Sequence, residues 1–203
     1  MILFNNKNIY DDFVPLPPDL QGWNGSHEIF GNLIQEIKPN IVIEVGSWKG
    51  QSSITIGSEI KKINDNAKLY CVDTWLGSTE FWIEENPERN LMFKNGYPQV
   101  YYQFLSNVVH NNLQTTIFPI PATSSTGASI LKYNEIKAQL IYIDASHEYE
   151  DVVCDIKKYS DLLDKGGIMF GDDYGSWEGV RNAVNHCFKD ISVVDNTFWV
   201  KRF

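Results

Sequence analysis

Short runs of apolar, often β-branched residues recur along this chain, and most are followed by a segment with helical spacing. The run from Ile41 to Val45 has isoleucine or valine at every position except Glu44, which is typical of a strand buried on both faces. Similar runs predict further strands at 68–72, 115–120, 139–143 and 168–171. Strands that alternate with helices pack as a parallel sheet between two helical layers. The pattern therefore predicts an α/β fold that is doubly wound and has three layers, in the order α/β/α.

The two ends of the chain and one internal stretch depart from this alternation. Residues 1–24 predict an irregular segment, because three prolines and Gly22 interrupt any helix or central strand. Residues 25–203 predict a single domain, since no linker or internal repeat divides them. Residues 76–97 are rich in aromatic residues, Pro, Asn and Gly, and so predict an insertion. The tail at 191–201 predicts an antiparallel hairpin that turns at Asp195 and Asn196.

The charge of the chain argues against several classes of partner. Its 203 residues carry a formal net charge of −9, whereas proteins that bind nucleic acid or anionic membrane surfaces usually present a basic face. No apolar run approaches the roughly 20 residues of a membrane helix, and the first residues lack the pattern of a signal peptide. Three widely spaced cysteines form neither a zinc pattern nor a redox pair. We therefore expect a cytoplasmic protein that binds a small molecule.

The first candidate site lies between the strand at 41–45 and the next helix. Gly46 lets the backbone turn tightly and approach a ligand, and the helix after Gly50 offers unpaired N–H groups at its N-terminus. Asp73 follows the second strand, where a carboxylate can accept hydrogen bonds from both hydroxyls of a ribose. Together these features indicate a nucleoside-containing cofactor. Taken singly, each is equally compatible with an ordinary turn.

Three further carboxylates follow the fourth and fifth strands. Asp144 ends the strand at 139–143, and Asp172 and Asp173 end the strand at 168–171. If these strands are neighbours, the carboxylates meet at one edge of the sheet, where they repel unless some are protonated or a cation neutralises them. An all-oxygen ligand set favours Mg²⁺, Ca²⁺ or Mn²⁺ over zinc. The alternative is structural: one acid caps a helix and another faces water.

His147 and the insertion are the remaining candidates. His147 lies three residues after Asp144, and histidine is suited to general base catalysis because it titrates near neutral pH. The same position is compatible with a first-turn helix residue that orders its neighbours. The aromatic residues of the 76–97 insertion suit a lid that excludes water from a reaction. They equally suit a satellite core or a contact between copies of the chain, so a homo-oligomer stays open.

Four motifs, taken in order, resemble one family. They are Glu44-Val45-Gly46-Ser47-x-x-Gly50-x-Ser52, Val72-Asp73-Thr74-Trp75-Leu76-Gly77-Ser78, Ile143-Asp144-Ala145-Ser146-His147-x-Tyr149 and Gly166-Gly167-x-x-x-Gly171-Asp172-Asp173-Tyr174. Over roughly residues 25–190 the chain resembles the class I S-adenosylmethionine-dependent methyltransferases. The branch it resembles includes macrocin-type sugar O-methyltransferases and cephalosporin-hydroxylase-like proteins. It departs from the common pattern at Trp48, where the loop of the family has a further glycine.

The resemblance implies a seven-stranded sheet with an antiparallel last strand, and it implies both S-adenosylmethionine and a divalent cation, foremost Mg²⁺. The first loop would contact the methionine and ribose part of the cofactor, through Glu44, Gly46, Ser47, Gly50 and Ser52. The adenosine would contact Asp73, Thr74 and Trp75, and the stretch Pro121, Ala122, Thr123 and Ser124 would border the adenine. The metal ligands would be Asp144, Asp172 and Asp173, with Asp144 also beside the cofactor. His147 falls where catechol-type relatives place a catalytic lysine.

These features predict an S-adenosylmethionine-dependent O-methyltransferase, assisted by a divalent metal, that acts on a small polar acceptor such as a sugar or another diol. Asp144 and His147 are the predicted catalytic residues, because a bound metal and a base both promote loss of the hydroxyl proton. Two alternatives stay open. One is a nucleotide-dependent oxidoreductase, which the missing Gly-x-Gly-x-x-Gly fingerprint disfavours. The other is a non-catalytic scaffold that only binds a cofactor or a partner.

Overall fold

The computed structural model describes residues 8–83 and 86–203, and its strands form one sheet. The strands are β1 (Ile41–Val45), β2 (Lys68–Asp73), β3 (Ile117–Pro121), β4 (Ala138–Ile143), β5 (Leu163–Gly171), β6 (Ser192–Val194) and β7 (Phe198–Arg202). They lie in the order β3-β2-β1-β4-β5-β7-β6. Strands β1 to β5 pair in parallel, and β7 is antiparallel to both β5 and β6. The predicted doubly wound, mostly parallel sheet with an antiparallel last strand is confirmed.

Helices cover both faces of this sheet. They are α1 (Glu28–Ile37), α2 (Gln51–Ile63), α3 (Thr79–Ile83), α4 (Val100–His110), α5 (Ser124–Tyr133), α6 (Tyr149–Ser160) and α7 (Glu178–Cys187), with a 3₁₀ turn at Pro87–Arg89. One face packs against α1, α2 and α4, and the other packs against α5, α6 and α7. Among the described residues, no helix is both long enough and apolar enough to cross a membrane.

The two cores explain why the strands read as continuous apolar runs. Successive side chains of a strand point to opposite faces of the sheet. Val42 accordingly joins the core under α1 and α2, whereas Ile43 joins the core under α6 and α7. Because both faces are covered, nearly every strand position must be apolar, and a polar residue such as Glu44 needs internal partners.

Two local predictions differ from the structure. No helix was expected between β3 and β4, yet α5 fills most of that connection. Strand β5 begins at Leu163 rather than at 168, and its register with β4 shifts between Ala138 and Leu140. Gly166, which has a φ of 80°, lies within this irregular part of the strand. A glycine there allows the strand to bulge and then resume pairing.

The C-terminal hairpin turns at the edge of the sheet where the parallel strands end. Asp195 and Asn196 have left-handed φ values of 50° and 56°, and they lie in the three-residue connection between β6 and β7. Trp199 at the start of β7 pairs with Gly171 at the end of β5. The predicted hairpin is therefore present, and its turn lies beside the carboxyl ends of the parallel strands.

The N-terminal residues run over the same part of the molecule without regular structure. Residues 8–27, which we call the N-terminal strap, contain neither helix nor strand. Residues 1–7 of the predicted irregular segment lie outside the described residues, as do residues 84 and 85 of the predicted insertion.

Candidate active site

The loop after β1 crosses the end of β4 at very short range. Gly46 has a φ of 86°, and its N–H donates to the Val72 carbonyl at 2.9 Å. A Cβ atom on Gly46 would lie 1.8 Å from the Asp144 carbonyl oxygen. Both the positive φ and the close approach require glycine. The tight turn expected from the sequence is therefore present, and it brings the ends of β1 and β4 together.

Asp73 holds the loop after β1 against the loop after β2. Its Oδ2 accepts hydrogen bonds from the N–H groups of Ser47 at 2.8 Å and Trp48 at 2.9 Å. Its Oδ1 accepts one from the N–H of Trp75 at 2.7 Å. A carboxylate has about four acceptor positions, so Asp73 keeps capacity for a further donor. Its contact with ribose hydroxyls stays a prediction.

Glu44 lies beneath the first loop instead of on its surface. The side chain is fully buried, and its carboxylate accepts hydrogen bonds from the hydroxyls of Ser47 at 2.8 Å, Ser52 at 2.6 Å and Ser53. Burial raises the pKa of Glu44, and the serine hydroxyls offset this in part. The Glu44 and Ser52 side chains are therefore turned inward and support the loop, and their contact with the cofactor stays a prediction. Ser53 was missed in the sequence because it belongs to no motif.

Two left-handed residues shape the rest of the first loop. Trp48 has a φ of 49° and Gly50 a φ of 91°. The left-handed conformation costs about 1–2 kcal/mol for a residue with a Cβ, which explains why glycine suits the position of Trp48. The Trp48 indole N–H donates to Gln21 Oε1 at 3.0 Å, and its ring packs edge-on against Phe81 with 4.8 Å between centroids. Trp48 thereby connects the strap and the insertion to this loop.

The N-terminus of α2 is covered by the strap. A Cβ atom on Gly25 would lie 2.6 Å from the backbone nitrogen of Ser52. The N–H of Gly25 donates to Gln51 Oε1 at 3.0 Å. The strap therefore passes close to the first turn of α2, and the binding of a ligand by the N–H groups of that turn stays a prediction.

Trp75 and Thr74 contact the protein rather than the open edge. The Trp75 side chain is only 2% exposed, and its ring packs against Tyr101 and Phe104 with 4.9 Å between centroids in each case. Its indole N–H donates to the Trp48 carbonyl at 2.8 Å. The Thr74 hydroxyl accepts a hydrogen bond from a neighbouring backbone N–H. The Trp75 ring is therefore part of the core, and its place beside the adenosine stays a prediction.

The stretch after β3 lies next to Asp73, as its place in the fold requires. The N–H of Ala122 donates to the Asp73 carbonyl at 2.9 Å. The Thr123 hydroxyl caps α5 by accepting from the N–H of Thr126 at 3.2 Å. The Ser124 hydroxyl donates to the carboxylate of Asp155 on α6. The hydroxyl groups of this stretch are thus already bonded within the protein, and its contact with an adenine stays a prediction.

The three predicted metal ligands are gathered where β4 and β5 end side by side. Ile143 pairs with Gly171, so the acids that follow these residues are neighbours. Burial raises the pKa of Asp144 well above its usual range, and the charges of Asp172 and Asp173 raise it further. Burial likewise raises the pKa of Asp172 to about 6, although the N–H of Asp173 offsets part of the shift. The edge therefore gathers acidic side chains that ionise less readily than usual.

Each of these carboxylates already has a partner. The Tyr142 hydroxyl donates to Asp144 Oδ2 at 2.9 Å, and the Asp173 N–H donates to Asp172 Oδ1 at 2.7 Å. His147 Nε2 lies 2.9 Å from Asp173 Oδ2. Within residues 8–83 and 86–203, no set of three or more His, Cys, Asp or Glu side chains is arranged so that it could hold a metal ion. The predicted ligands are gathered, but the predicted metal site is not shown.

His147 is fixed both along its ring edge and across its ring face. Asp173 holds one ring nitrogen, and Trp177 stacks on the ring with centroids 4.1 Å apart and planes 17° apart. Burial would raise the pKa of Glu80 in the insertion, but hydrogen bonds and the nearby charge of His147 lower it. Sequence reasoning missed Trp177 and Glu80, since neither belongs to a motif. The insertion therefore reaches the same edge of the sheet as His147.

The insertion is partly packed and partly exposed. Leu91 is buried, whereas Trp82, Phe93 and Tyr97 are half-exposed or more. The buried Leu91 joins the core under α1, α2 and α4, so the described residues of the insertion do not show the separate satellite core that was one of the alternatives. A lid and a contact between copies of the chain stay predictions.

Comparison with known families decides the class of the protein. A family model described as a methyltransferase domain matches residues 43–174, a span that runs from β1 past the end of β5. The chain belongs to this methyltransferase family. The match contains the Gly46 loop, Asp73 and all three acids, and it confirms the predicted resemblance to the S-adenosylmethionine-dependent methyltransferases.

The methyltransferase is similar to a curated viral protein and to solved methyltransferase structures. It is 27% identical over 152 residues to the uncharacterized protein R132 of Acanthamoeba polyphaga mimivirus, with 73% of this chain and 59% of that protein covered. The chain thus spans about three fifths of the length of this relative. CalS11, a calicheamicin methyltransferase, has a TM-score of 0.63 at 15% identity, over 87% of this chain and 76% of its own. The O-methyltransferase from Bacillus cereus in complex with SAH has a TM-score of 0.60 at 14% identity, over 91% and 82%.

Replacing Gly46 tests the close approach of the two loops. We expect Gly46→Ala to lower the free energy of unfolding by more than about 3 kcal/mol, because the new Cβ overlaps the Asp144 carbonyl and the φ is strained. Gly96→Ala is the matched control, since Gly96 has a φ of 77° but no atom within 4 Å of a Cβ. It should cost about 1 kcal/mol. Equal losses in urea unfolding would contradict the close approach.

Asp155 should make the stability depend on pH. Burial raises its pKa from 3.8 to about 6, despite the hydrogen bond from Ser124. The native state then binds this proton more tightly than the unfolded state does. The stabilisation that this proton contributes is therefore complete below pH 3.8, the pKa of Asp155 in the unfolded state. It falls by about 3 kcal/mol as the pH rises to about 6, the pKa in the folded state.

Asp155→Asn should remove that loss, because asparagine keeps an acceptor for Ser124 and does not ionise. The measurement is urea unfolding between pH 4 and pH 8, with Asp65→Asn on an exposed turn as control. An Asp155→Asn variant whose pH profile matches that of the unchanged protein would refute this assignment.

Proposed function

We propose that this methyltransferase transfers a methyl group from S-adenosylmethionine to a hydroxyl oxygen of a small polar acceptor, such as a sugar or another diol. The observation that carries the proposal is a juxtaposition at one edge of the sheet. The loop closed by Asp73 ends there beside Asp144 and the His147–Asp173 pair. CalS11 is described as a TDP-rhamnose 3'-O-methyltransferase, and this likeness supports a sugar acceptor. The SAH bound to the Bacillus cereus protein supports the cofactor.

The residues at this edge suit a cationic methyl donor. S-Adenosylmethionine supplies an electrophilic methyl group on a positively charged sulfonium. A positively charged ligand would favour the ionised forms of Asp144 and Asp172, and the attraction is strong where the surroundings exclude water. Asp73 retains acceptor positions that can bind ribose hydroxyls. The protein therefore contributes to the reaction largely by binding and aligning the donor and the acceptor. Alignment by itself can lower the free energy of activation by several kcal/mol.

His147 is placed to remove the proton of the acceptor hydroxyl. A hydroxyl oxygen becomes a strong nucleophile only as its proton leaves. When Nε2 carries the ring hydrogen and donates it to Asp173, Nδ1 is free to accept the hydroxyl proton. Asp173 then stabilises the imidazolium that forms, as an aspartate does in a catalytic triad. The stack on Trp177 keeps the ring plane fixed during this transfer.

A divalent cation at Asp144, Asp172 and Asp173 is the finer part of the proposal. Support comes from the chemistry of the donors, which are oxygens that Mg²⁺ prefers, and from the mutual repulsion of the carboxylates. Each carboxylate keeps acceptor positions beyond its present partners, and these positions would hold the cation. A cation held there would lower the pKa of a coordinated hydroxyl.

A methyl-transfer assay tests the proposed reaction. The acceptor panel is catechol, methyl α-L-rhamnopyranoside and TDP-rhamnose, each with S-adenosylmethionine and Mg²⁺. We expect transfer to at least one acceptor, and we expect His147→Ala to lower kcat by about 10²–10⁴-fold because it removes the base. His186→Ala is the matched control, since His186 lies exposed on α7. A wild-type protein that binds S-adenosylmethionine but methylates none of the panel would favour the non-catalytic scaffold.

Removal of the metal tests the finer part separately. We expect EDTA to abolish methyl transfer and MgCl₂ to restore it, because the cation promotes loss of the hydroxyl proton. Calorimetric titration with Mg²⁺ should give a binding signal that Asp144→Asn weakens. Turnover that EDTA leaves unchanged, together with no Mg²⁺ binding, would refute the cation and leave the methyl transfer intact.

A further inference from the structure

The N-terminal strap is fastened to α4 by buried polar side chains. Gln103, Ser106 and Asn107 are each at most 2% exposed, although helix faces that pack on a core are normally apolar. All three bond backbone groups of the strap. Gln103 Nε2 donates to the Pro17 carbonyl at 3.0 Å, and Ser106 Oγ accepts from the Leu16 N–H at 2.9 Å. Asn107 Oδ1 accepts from the Asp19 N–H at 3.0 Å, and its Nδ2 donates to the Asp19 carbonyl at 2.6 Å. Each side chain also has a partner outside the strap, namely Asn107 for Gln103, the Tyr102 carbonyl for Ser106 and the Lys49 carbonyl for Asn107. Without the strap each would still lose at least one hydrogen bond, so these polar groups of α4 hold the strap in place.

A second fastening joins the strap to the first loop of the site. Lys49 is 4% exposed, and its ammonium lies 2.7 Å from the Asp19 carboxylate. Gly25 lies against the first turn of α2, close to Ser52. A buried charge without its partner is strongly destabilising, so the path of the strap between these two points is fixed.

Near the end of the strap, the side chain of Asn24 binds one of the acids of the site. Asn24 has a φ of 53°, and its Nδ2 donates to Asp172 Oδ2 at 3.1 Å. The other oxygen of this carboxylate, Oδ1, accepts the N–H of Asp173 at 2.7 Å. Asp172 is 4% exposed, whereas Asn24 is exposed. The Asp172 carboxylate is therefore oriented by one backbone group and by one amide from outside the matched methyltransferase domain at 43–174.

We infer that Asn24 is a positioning residue that orients the Asp172 carboxylate toward the acceptor, and that the strap is one wall of the acceptor site. The inference rests on the proposed methyl transfer. A neutral amide suits this position because it fixes the carboxylate without cancelling its charge, which a lysine would do. With three carboxylates at this edge, the wall fits an acceptor that presents hydroxyl donors and no negative group near the reacting oxygen.

Substitution of Asn24 separates its amide from its backbone conformation. Asn24→Gly keeps the left-handed φ available but removes the amide, and Asn24→Asp keeps both shape and φ but places a second carboxylate against Asp172. Asn112→Gly is the matched control, because Asn112 is an exposed asparagine with a φ of 56° after α4. Urea unfolding and circular dichroism establish that all three variants fold.

The kinetic readout uses the acceptor of the catechol, rhamnopyranoside and TDP-rhamnose panel that the wild type methylates fastest. We expect Asn24→Gly to lower kcat by about tenfold, which is the scale of a lost hydrogen bond to a charged group. Asn24→Asp should lower it further, and Asn112→Gly should leave it unchanged. The affinity for SAH in calorimetric titration should be the same in all of them. Two results would overturn the inference. One is an unchanged kcat in Asn24→Gly, and the other is an affinity of Asn24→Gly for SAH that falls by the same factor as its kcat.

Amide hydrogen exchange gives a readout that needs no turnover. The N–H of Asp173 bonds to the carboxylate that Asn24 orients. In the SAH-saturated full chain, Asn24→Gly should make this amide exchange several-fold faster in nitrogen-15 NMR, and Asn112→Gly should not. An unchanged rate would show that Asn24 does not orient Asp172. A wild type that methylates nothing would instead refute the proposed function. In that case the exchange rate of the Asp173 amide would still show whether Asn24 orients Asp172.

Discussion

The carboxylate of Asp73 is the group on which the geometry of the site depends. One of its oxygens binds two consecutive N–H groups of the loop after β1, and the other binds an N–H of the loop after β2. Hydrogen bonds to a charged group contribute about 1.5–3 kcal/mol each, enough to offset the left-handed conformation of Trp48. The Trp48 side chain then contacts Gln21 of the strap and Phe81 of the insertion. A single carboxylate thus sets the positions of both segments that border the site.

A second constraint is the crowding of acidic side chains at the ends of β4 and β5. Asp144 and Asp172 are held close together although each raises the free energy of ionising the other. A fold built for stability alone would not retain this repulsion, whereas a site for a sulfonium or a divalent cation benefits from it. Three groups moderate the repulsion from different parts of the chain: the Tyr142 hydroxyl, the His147 ring and the Asn24 amide.

The sequence predicts the sheet and the place of the site well, because both follow from local patterns. Strands buried on two faces must be apolar, so the run from Ile41 to Val45 identifies β1, and turn chemistry places Gly46 and Asp73 at its edge. Helix α5 was missed because only Gly127, Ala128 and Leu131 of it are buried, which leaves little apolar periodicity. Glu44 and Trp75 were given outward roles because a motif does not show the direction of a side chain. Asn24 contacts a residue 148 positions away, and no local pattern encodes such a contact.

We propose that the loop closed by Asp73 is the cofactor site of this methyltransferase. Calorimetric titration of the full chain with SAH, on the wild type and on Asp73→Asn, tests it most directly. We expect the wild type to bind SAH saturably and Asp73→Asn to bind it about 10–100-fold more weakly. The reason is that the amide presents one acceptor atom where the carboxylate presents two. Circular dichroism and urea unfolding show whether the variant is still folded. If the wild type does not bind SAH, or if a folded Asp73→Asn binds it with equal affinity, the loop closed by Asp73 is not the cofactor site.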